Sequence, residues 1–320
     1  MRDYSVKLNI IKILSGGEFV SGSDVGEVLG ISRAAVSKHV KSLADWGLDV
    51  FSVQGKGYKL SEPLSLLDQL KLEQRVQVPV MLIPIIDSTN QYLLDRVDKL
   101  ETGSVCLAEF QEKGRGRRGR EWISPFGSNL YMSMYWRLDA GMAAAMGLSL
   151  VVGVAIVEAM EKLGIEGVKL KWPNDLYYND KKLAGILVEM SGQAGGAAHL
   201  VIGMGLNISM RENIEGITQP WTCLKDVQKT LPDRNDLAAE LVTAWNNALE
   251  EYELYGMKGF VERWNRYDNF KGRPAKLIMG KREIEGIIRG IDEQGAVLLE
   301  TLNGVEAFIG GEISLRGQVS

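Results

Sequence analysis

The chain has 320 residues, with 37 Lys and Arg against 41 Asp and Glu. The net charge of −4 excludes wholesale polyanion binding, so any nucleic-acid contact must come from a local patch. A hydrophobic share of 45% with 24% charged residues fits a soluble globular protein of two or three domains. Two cysteines (Cys106, Cys223) and two histidines (His39, His199) exclude a zinc framework and leave no Ser-His-Asp set.

The thiols read as reduced, which suits a cytoplasmic protein. The first five residues show no signal-peptide pattern, and the apolar run at 148–157 is too short to span a membrane.

In chain order, Leu8, Ile10, Ile11, Ile13 and Leu14 give a first helix an apolar face. Ser23 is a candidate N-cap for a second helix ending near Leu29, and Ser32 for a third over 33–43. On the third helix Val36, Val40 and Leu43 share one face, while Arg33, Ala34, Ser37, Lys38 and Lys41 share the other. A hairpin follows, with Lys56 in its Gly-Lys-Gly tip. Short helix, glycine turn, basic-faced helix and hairpin make a winged helix-turn-helix, whose third helix enters the DNA major groove. Residues 32–59 hold five Lys/Arg and two Asp/Glu, a local +3 that is enough for a few phosphate contacts. Residues 61–65, around Pro63, read as a linker before an apolar helix over 64–72.

The central region predicts strands at 80–86, 104–110, 129–136, 168–171, 176–178, 182–190 and 199–207. Helices are expected from Asn90, over 143–163, 234–255 and 259–267. This is a mixed sheet with helices against it. Ser88, Thr89 and Asn90 read equally well as helix caps and as ligand groups. His199 reads as a structural strand residue, and Trp172 as either a core anchor or a ligand wall. Residues 211–221 carry no motif and read as a lid. From Arg273 onward, short strands at 275–279, 283–291, 296–300, 305–309 and 313–315 suggest a small SH3-like barrel.

Everything else is organised around Gly114-Arg115-Gly116-Arg117-Arg118-Gly119-Arg120-Glu121-Trp122. Glycine allows close ligand approach, successive N–H groups form an anion nest, and arginine adds a planar cationic fork. On its own the run reads either as a loop closing over phosphate or carboxylate or as a solvated basic loop. Its neighbours are the Ser88-Thr89-Asn90 stretch, Lys171-Trp172-Pro173-Asn174-Asp175 and Lys182-Leu183-Ala184-Gly185-Ile186-Leu187.

These motifs together resemble those of the bifunctional biotin–protein ligases that also repress the biotin operon. The resemblance spans essentially the whole chain. It implies an α+β multidomain protein: a winged helix-turn-helix (residues 1–62), a class II synthetase-like mixed-sheet ligase domain (63–270) and the SH3-like barrel (271–320). It implies ATP-dependent formation of biotinyl-5′-AMP with Mg²⁺, then transfer of biotin to a lysine of the biotin carboxyl carrier protein. No protein nucleophile is needed.

By the same match, Ser88, Thr89, Asn90 and Gln111 hold the biotin rings. Arg115, Gly116 and Arg117 bind the carboxylate end and the adenylate, and Lys182 sits at the carboxylate–phosphate junction. Trp122 stacks on adenine, and Asn174 or Asp175 orients phosphate or metal. Asp175 reads as a water-mediated Mg²⁺ contact or as a turn cap. Glycine entropy and like charge predict a loop that orders around the adenylate, completing a homodimer that presents two winged helices to operator DNA. A lipoate–protein ligase and a non-catalytic adenylate sensor are the competing readings.

Overall fold

The computed structural model describes residues 3–192, 196–210, 216–279, 282–309 and 313–317. The first unit comprises helices α1 (Ser5–Leu14), α2 (Gly22–Leu29) and α3 (Arg33–Lys41) and the antiparallel wing β1 (Val50–Val53) and β2 (Gly57–Leu60). Ser32 caps α3 by accepting from Ala35 N–H. For α2 the cap is Ser21, which accepts from Asp24 N–H, two residues before the expected Ser23. Val20 pairs with Tyr58 and adds a third short piece to the wing sheet.

This unit does not stand apart. The Trp46 ring stacks on Phe126 at 5.6 Å and lies 5.8 Å from Phe110, and Phe126 N–H donates to Trp46 O.

The expected helix over 64–72 is shorter. The chain runs extended until Asp68, whose carboxylate caps α4 (Gln69–Glu73). That extended piece is held by a buried pair. Glu109 accepts from Leu67 N–H at 2.6 Å, and Arg234 donates to Ser65 O and to Glu109, each at 2.7 Å.

The strand expected at 80–86 is broken at Pro84 into β3 (Val80–Leu82) and β4 (Ile85–Ile86). Proline cannot donate to a ladder, and here its carbonyl instead accepts from both Glu109 and Phe110 N–H. After α5 (Thr89–Leu94), the next strand is likewise split into β5 (Val105–Ala108) and β6 (Phe110–Gln111).

There follow β7 (Asn129–Leu138), α6 (Leu148–Lys162), β8 (Lys169–Lys171), β9 (Asp175–Tyr178), β10 (Lys181–Ser191) and β11 (Ala198–Asn207). Helix α6 starts five residues later than expected, after Gly147 at φ 87°. Helices α7 (Leu224–Val227), α8 (Arg234–Tyr255) and α9 (Lys258–Tyr267) complete the unit. The seven-stranded sheet runs β3-β5-β7-β11-β10-β9-β8, antiparallel except for the β3–β5 pair; β4 and β6 form a separate parallel pair.

Strands β12 (Pro274–Met279), β13 (Arg282–Ile291), β14 (Val297–Thr301), β15 (Gly304–Phe308) and β16 (Ile313–Gly317) make the SH3-like unit. It is a five-stranded antiparallel sheet ordered β15-β14-β13-β12-β16. Its Ala275, Leu277, Ile288, Val297 and Leu299 share one apolar core with α6, α8 and the central sheet. Trp172 anchors the join: it is 2% exposed, and its indole N–H donates to Gly295 O. Among the described residues no helix is long and apolar enough to cross a membrane. Of the lid expected at 211–221, residues 211–215 lie outside the described residues.

Asp268, at this join, is a buried carboxyl. Its Oδ1 accepts from Phe270 N–H and its Oδ2 meets no partner. Burial pushes its pKa up to about 6. The native state therefore holds this proton more tightly than the unfolded chain. The group's contribution is fully present below the ordinary carboxylate value and is lost as pH rises through about 6. Asp268→Asn should abolish that loss and raise stability at pH 8 by about 1–3 kcal/mol. Urea midpoints at pH 5 and pH 8 measure it; parallel pH dependence in both proteins would place the proton elsewhere.

Candidate functional site

The site lies on one face of the central sheet, where β10 and β11 pair Gly185 with Gly205 and Leu187 with Gly203. A methyl group on Gly203 would lie 2.0 Å from Asn90 Oδ1, and one on Gly205 2.2 Å from the Trp122 ring. The glycines thus let two polar or aromatic side chains lie flat on backbone. Over this floor opens a cavity of about 150 Å³.

One end is polar and nearly neutral. Ser88 caps α5 by accepting from Gln91 N–H, while Thr89 and Asn90 do something else. Thr89 donates through its N–H (2.9 Å) and hydroxyl (3.2 Å) to Gln111 Oε1. Ser133 Oγ lies 2.7 Å from Thr89 Oγ1 and 2.5 Å from Asn90 Oδ1. Gln111 donates onward to Ser124 Oγ. Ser88, Thr89 and Asn90 are each 4% exposed, so this is a pre-organised polar cluster rather than a solvated helix start.

The other end is cationic. The Gly/Arg run folds back on itself: Arg115 bridges Glu121, Gly116 N–H donates to Arg120 O, and Trp122 N–H donates to Gly114 O. Arg118 takes the left-handed conformation, φ 59°. Arg117 donates to Asn174 Oδ1 at 2.9 Å. Burial draws its pKa below the ordinary guanidinium value, and Asp175 opposes that. Lys182 Nζ lies 2.8 Å from Asp175 Oδ1 and 5.4 Å from the centre of the Trp122 ring.

The β10 register against β9 shifts between Lys182 and Ala184. That bulge puts Lys182 on the face of Gly185 and Leu187, where strict alternation would turn it away. Among the described residues Arg115, Arg117, Arg118, Arg120, Lys171 and Lys182 face the cavity against Glu121 and Asp175, a balance suited to a polyanion.

The cavity therefore gathers Ser88, Thr89, Asn90, Gln111, Arg115, Gly116, Arg117, Trp122, Asn174, Asp175 and Lys182, every site residue that the sequence singled out outside the DNA-binding unit. Trp172 serves both roles open to it, since it lines the cavity and anchors the core. Trp122 forms a flat wall over Gly205. His199 lies 2.7 Å through Nδ1 from Tyr135 Oη, as a structural residue. Ser133 and Glu189 were not legible as site residues; each sits within a strand without a motif. Among the described residues no group of three His, Cys, Asp or Glu could hold a metal. On the winged unit Arg33, Ala34, Lys38 and Lys41 are exposed along α3, Ser37 is half-buried, and Lys56 is exposed at the wing tip.

Three family models match consecutive parts of the chain: an HTH domain at 6–59, the biotin/lipoate A/B protein ligase family at 82–207, and the biotin protein ligase C-terminal domain at 271–316. The bifunctional ligase/repressor BirA of Salmonella typhimurium is 54% identical over 318 residues, covering 99% of each chain, and that of Escherichia coli matches equally. In structure, the biotin protein ligase of Aquifex aeolicus in complex with biotin and ATP superposes with a TM-score of 0.66 at 30% identity. The match covers 75% of this chain and 99% of that one. Full-length identity of this order, with all three units in the same sequence, shows that the chain belongs to the family of bifunctional biotin–protein ligase/repressors.

Proposed function

We propose that the protein activates biotin with ATP, transfers it to a lysine of the biotin carboxyl carrier protein, and as its adenylate complex represses the biotin operon. The observation that carries this reading is a single cavity with a neutral polar cluster at one end and converging cations at the other. In the first step a biotin carboxylate oxygen attacks the α-phosphorus of ATP. The bond to the β,γ-diphosphate breaks, giving biotinyl-5′-AMP and pyrophosphate. In the second, the carrier lysine's amine attacks the acyl carbon, AMP departs with the bridging oxygen, and the amine loses a proton.

Ser88, Thr89, Asn90 and Gln111 supply donors and acceptors suited to a ureido ring. Arg115 offers its backbone N–H to the carboxylate end, Gly116 lets the ligand approach the backbone closely, and Arg117 and Lys182 offset the charge that builds where carboxylate meets phosphate. Trp122 offers a flat face to adenine, and Asn174 holds Arg117 in place. Asp175 is a single carboxylate beside Lys182, which fits a magnesium ion carried on substrate phosphates rather than a resident metal. Such an ion would neutralise phosphate charge.

The domains divide after residues 62 and 270 in this reading, in keeping with the three family matches. Adenylate binding orders the Gly/Arg loop, and the ordered loop completes a homodimer whose two winged helices meet a two-fold operator through Arg33, Ala34, Ser37, Lys38, Lys41 and Lys56. The setting is cytoplasmic, where ATP and the carrier protein meet.

Biotin-dependent exchange of labelled pyrophosphate into ATP tests the first step, with lipoate in parallel. Exchange with biotin alone is expected; exchange with lipoate alone would move the chain to the lipoate branch, and none with either would leave an adenylate sensor. Lys182→Ala and Arg117→Ala should each lower exchange about 100-fold or more in a folded protein; a loss below about threefold would remove that residue from the reacting centre. Biotinyl-5′-AMP should slow tryptic cleavage at Arg117, Arg118 and Arg120 by about tenfold, and equal rates with and without it would reject loop ordering. For the DNA face, Lys38→Ala should reduce the slope of log K against log salt for operator binding by about one. An unchanged slope would place Lys38 off the phosphates.

A further inference from the structure

Glu189 does not line the cavity, yet it joins the cavity's two ends. It follows Gly185 and Leu187 in alternation along β10 and pairs with Val201 of β11. One carboxylate oxygen, Oε2, accepts from Asn90 Nδ2 at 2.8 Å and from Arg115 Nη2 at 2.9 Å. Asn90 is further fixed by Leu187 O at 3.3 Å and by Ser133 Oγ. On its other nitrogen, Arg115 Nη1 donates to Gln91 Oε1 at 2.8 Å, and Gln91 donates to Asp95 at 2.6 Å. The ion pair is half-buried, with 35% of the Arg115 side chain and 27% of the Glu189 side chain exposed.

The geometry points to Glu189 as a positioning residue for the ligase reaction: it fastens the root of the Gly/Arg loop to the cluster that receives the biotin rings, by engaging the Arg115 guanidinium. This inference rests on the ligase reading above and assigns a division of labour within it. Both terminal nitrogens of Arg115 are used within the protein, one of them by a carboxylate. Its terminal nitrogens therefore act as a strut, and anion contact is shared by its Nε, which meets no partner among the described residues, by the backbone N–H groups of the loop, by Arg117 and by Lys182.

A carboxylate suits the task because two donors from separate elements converge on one oxygen, one of them cationic, and charge-assisted bonds are the stronger kind. Any movement of Asn90 on ligand entry is felt at the loop root through that oxygen. Glu189 stands near the end of β10, next to exposed Met190 and Ser191, so its removal opens no core.

Two readouts test the strut. The first needs no ligand. In the ligand-free protein, Glu189→Ala should speed tryptic cleavage at Arg117, Arg118 and Arg120 about fivefold, and Glu189→Gln, which keeps an acceptor without the charge, should fall between. The second uses pyrophosphate exchange. Glu189→Ala should raise the KM for biotin about tenfold and leave the KM for ATP within about twofold. Combining it with Arg115→Met should add little to the larger single effect, because both variants cut the same link.

Unchanged cleavage, equal rises in both KM values, or additive penalties would overturn the proposal. Should Glu189→Ala fail to fold, Glu189→Gln decides on the same criteria. A wild type without biotin-dependent exchange would sink the ligase reading, while the ligand-free cleavage rates would still judge the strut.

Discussion

The site depends on the absence of side chains along one strip of the central sheet. Where β10 and β11 pair Gly185 with Gly205 and Leu187 with Gly203, the backbone itself becomes the cavity floor. Asn90 comes down on Gly203 from the α5 side, and Trp122 comes down on Gly205 from the loop side. Two elements far apart in sequence thereby meet over the same pair of strands. A β-carbon at Gly203 or Gly205 would collide with one of them, and such a collision can be relieved only by moving a group that lines the cavity.

Behind this floor the protein spends polar groups where apolar packing would be simpler. Glu109 and Arg234 are each 4% exposed by side chain and tie the extended 64–68 segment to the strand that leads into Gln111. A buried pair of this kind contributes little net stability, yet removing one partner costs about 3–5 kcal/mol, because the other is left charged and dry. It therefore acts as a register pin. The piece of chain that leaves the winged unit is held against the same strand that supplies the polar end of the cavity. The Trp46 stack on Phe126 and Phe110 grips the other side of that strand and the exit of the Gly/Arg loop.

What could be read in the sequence was whatever is local. The Gly/Arg run, the Ser32 cap, the wing tip and the two long C-terminal helices each announce themselves within a few residues, and helix α8 appears with the limits expected. Pro84 was visible too, but its consequence was not: breaking the strand sends Ile85 and Ile86 into a different sheet. The bulge at Lys182 was invisible because a register shift is a property of the pairing, and no pattern within β10 specifies it. Ser133 and Glu189 escaped for the same reason. Each becomes a site-supporting group only because a strand places it under Asn90, some forty to one hundred residues away.

The cations of the cavity differ in how much ligand can ask of them. Lys182 faces Asp175 at 2.8 Å, Arg115 faces Glu189 at 2.9 Å, and Arg117 faces the neutral amide of Asn174 at 2.9 Å. Arg117 also lies in the field of Asp175, so an arriving polyanion meets three cations that each already answer to a protein group. Burial disfavours Arg117's charged form, and an anion placed beside it would offset that cost, as Asp175 already does in part. Interactions that strengthen as charge accumulates raise rate, whereas those already satisfied in the resting protein mostly hold shape. In the proposed reaction an anion beside Arg117 would therefore strengthen an interaction that burial leaves incomplete. In that reading Lys182, paired with Asp175, and Arg115, paired with Glu189, hold their places on either side of it.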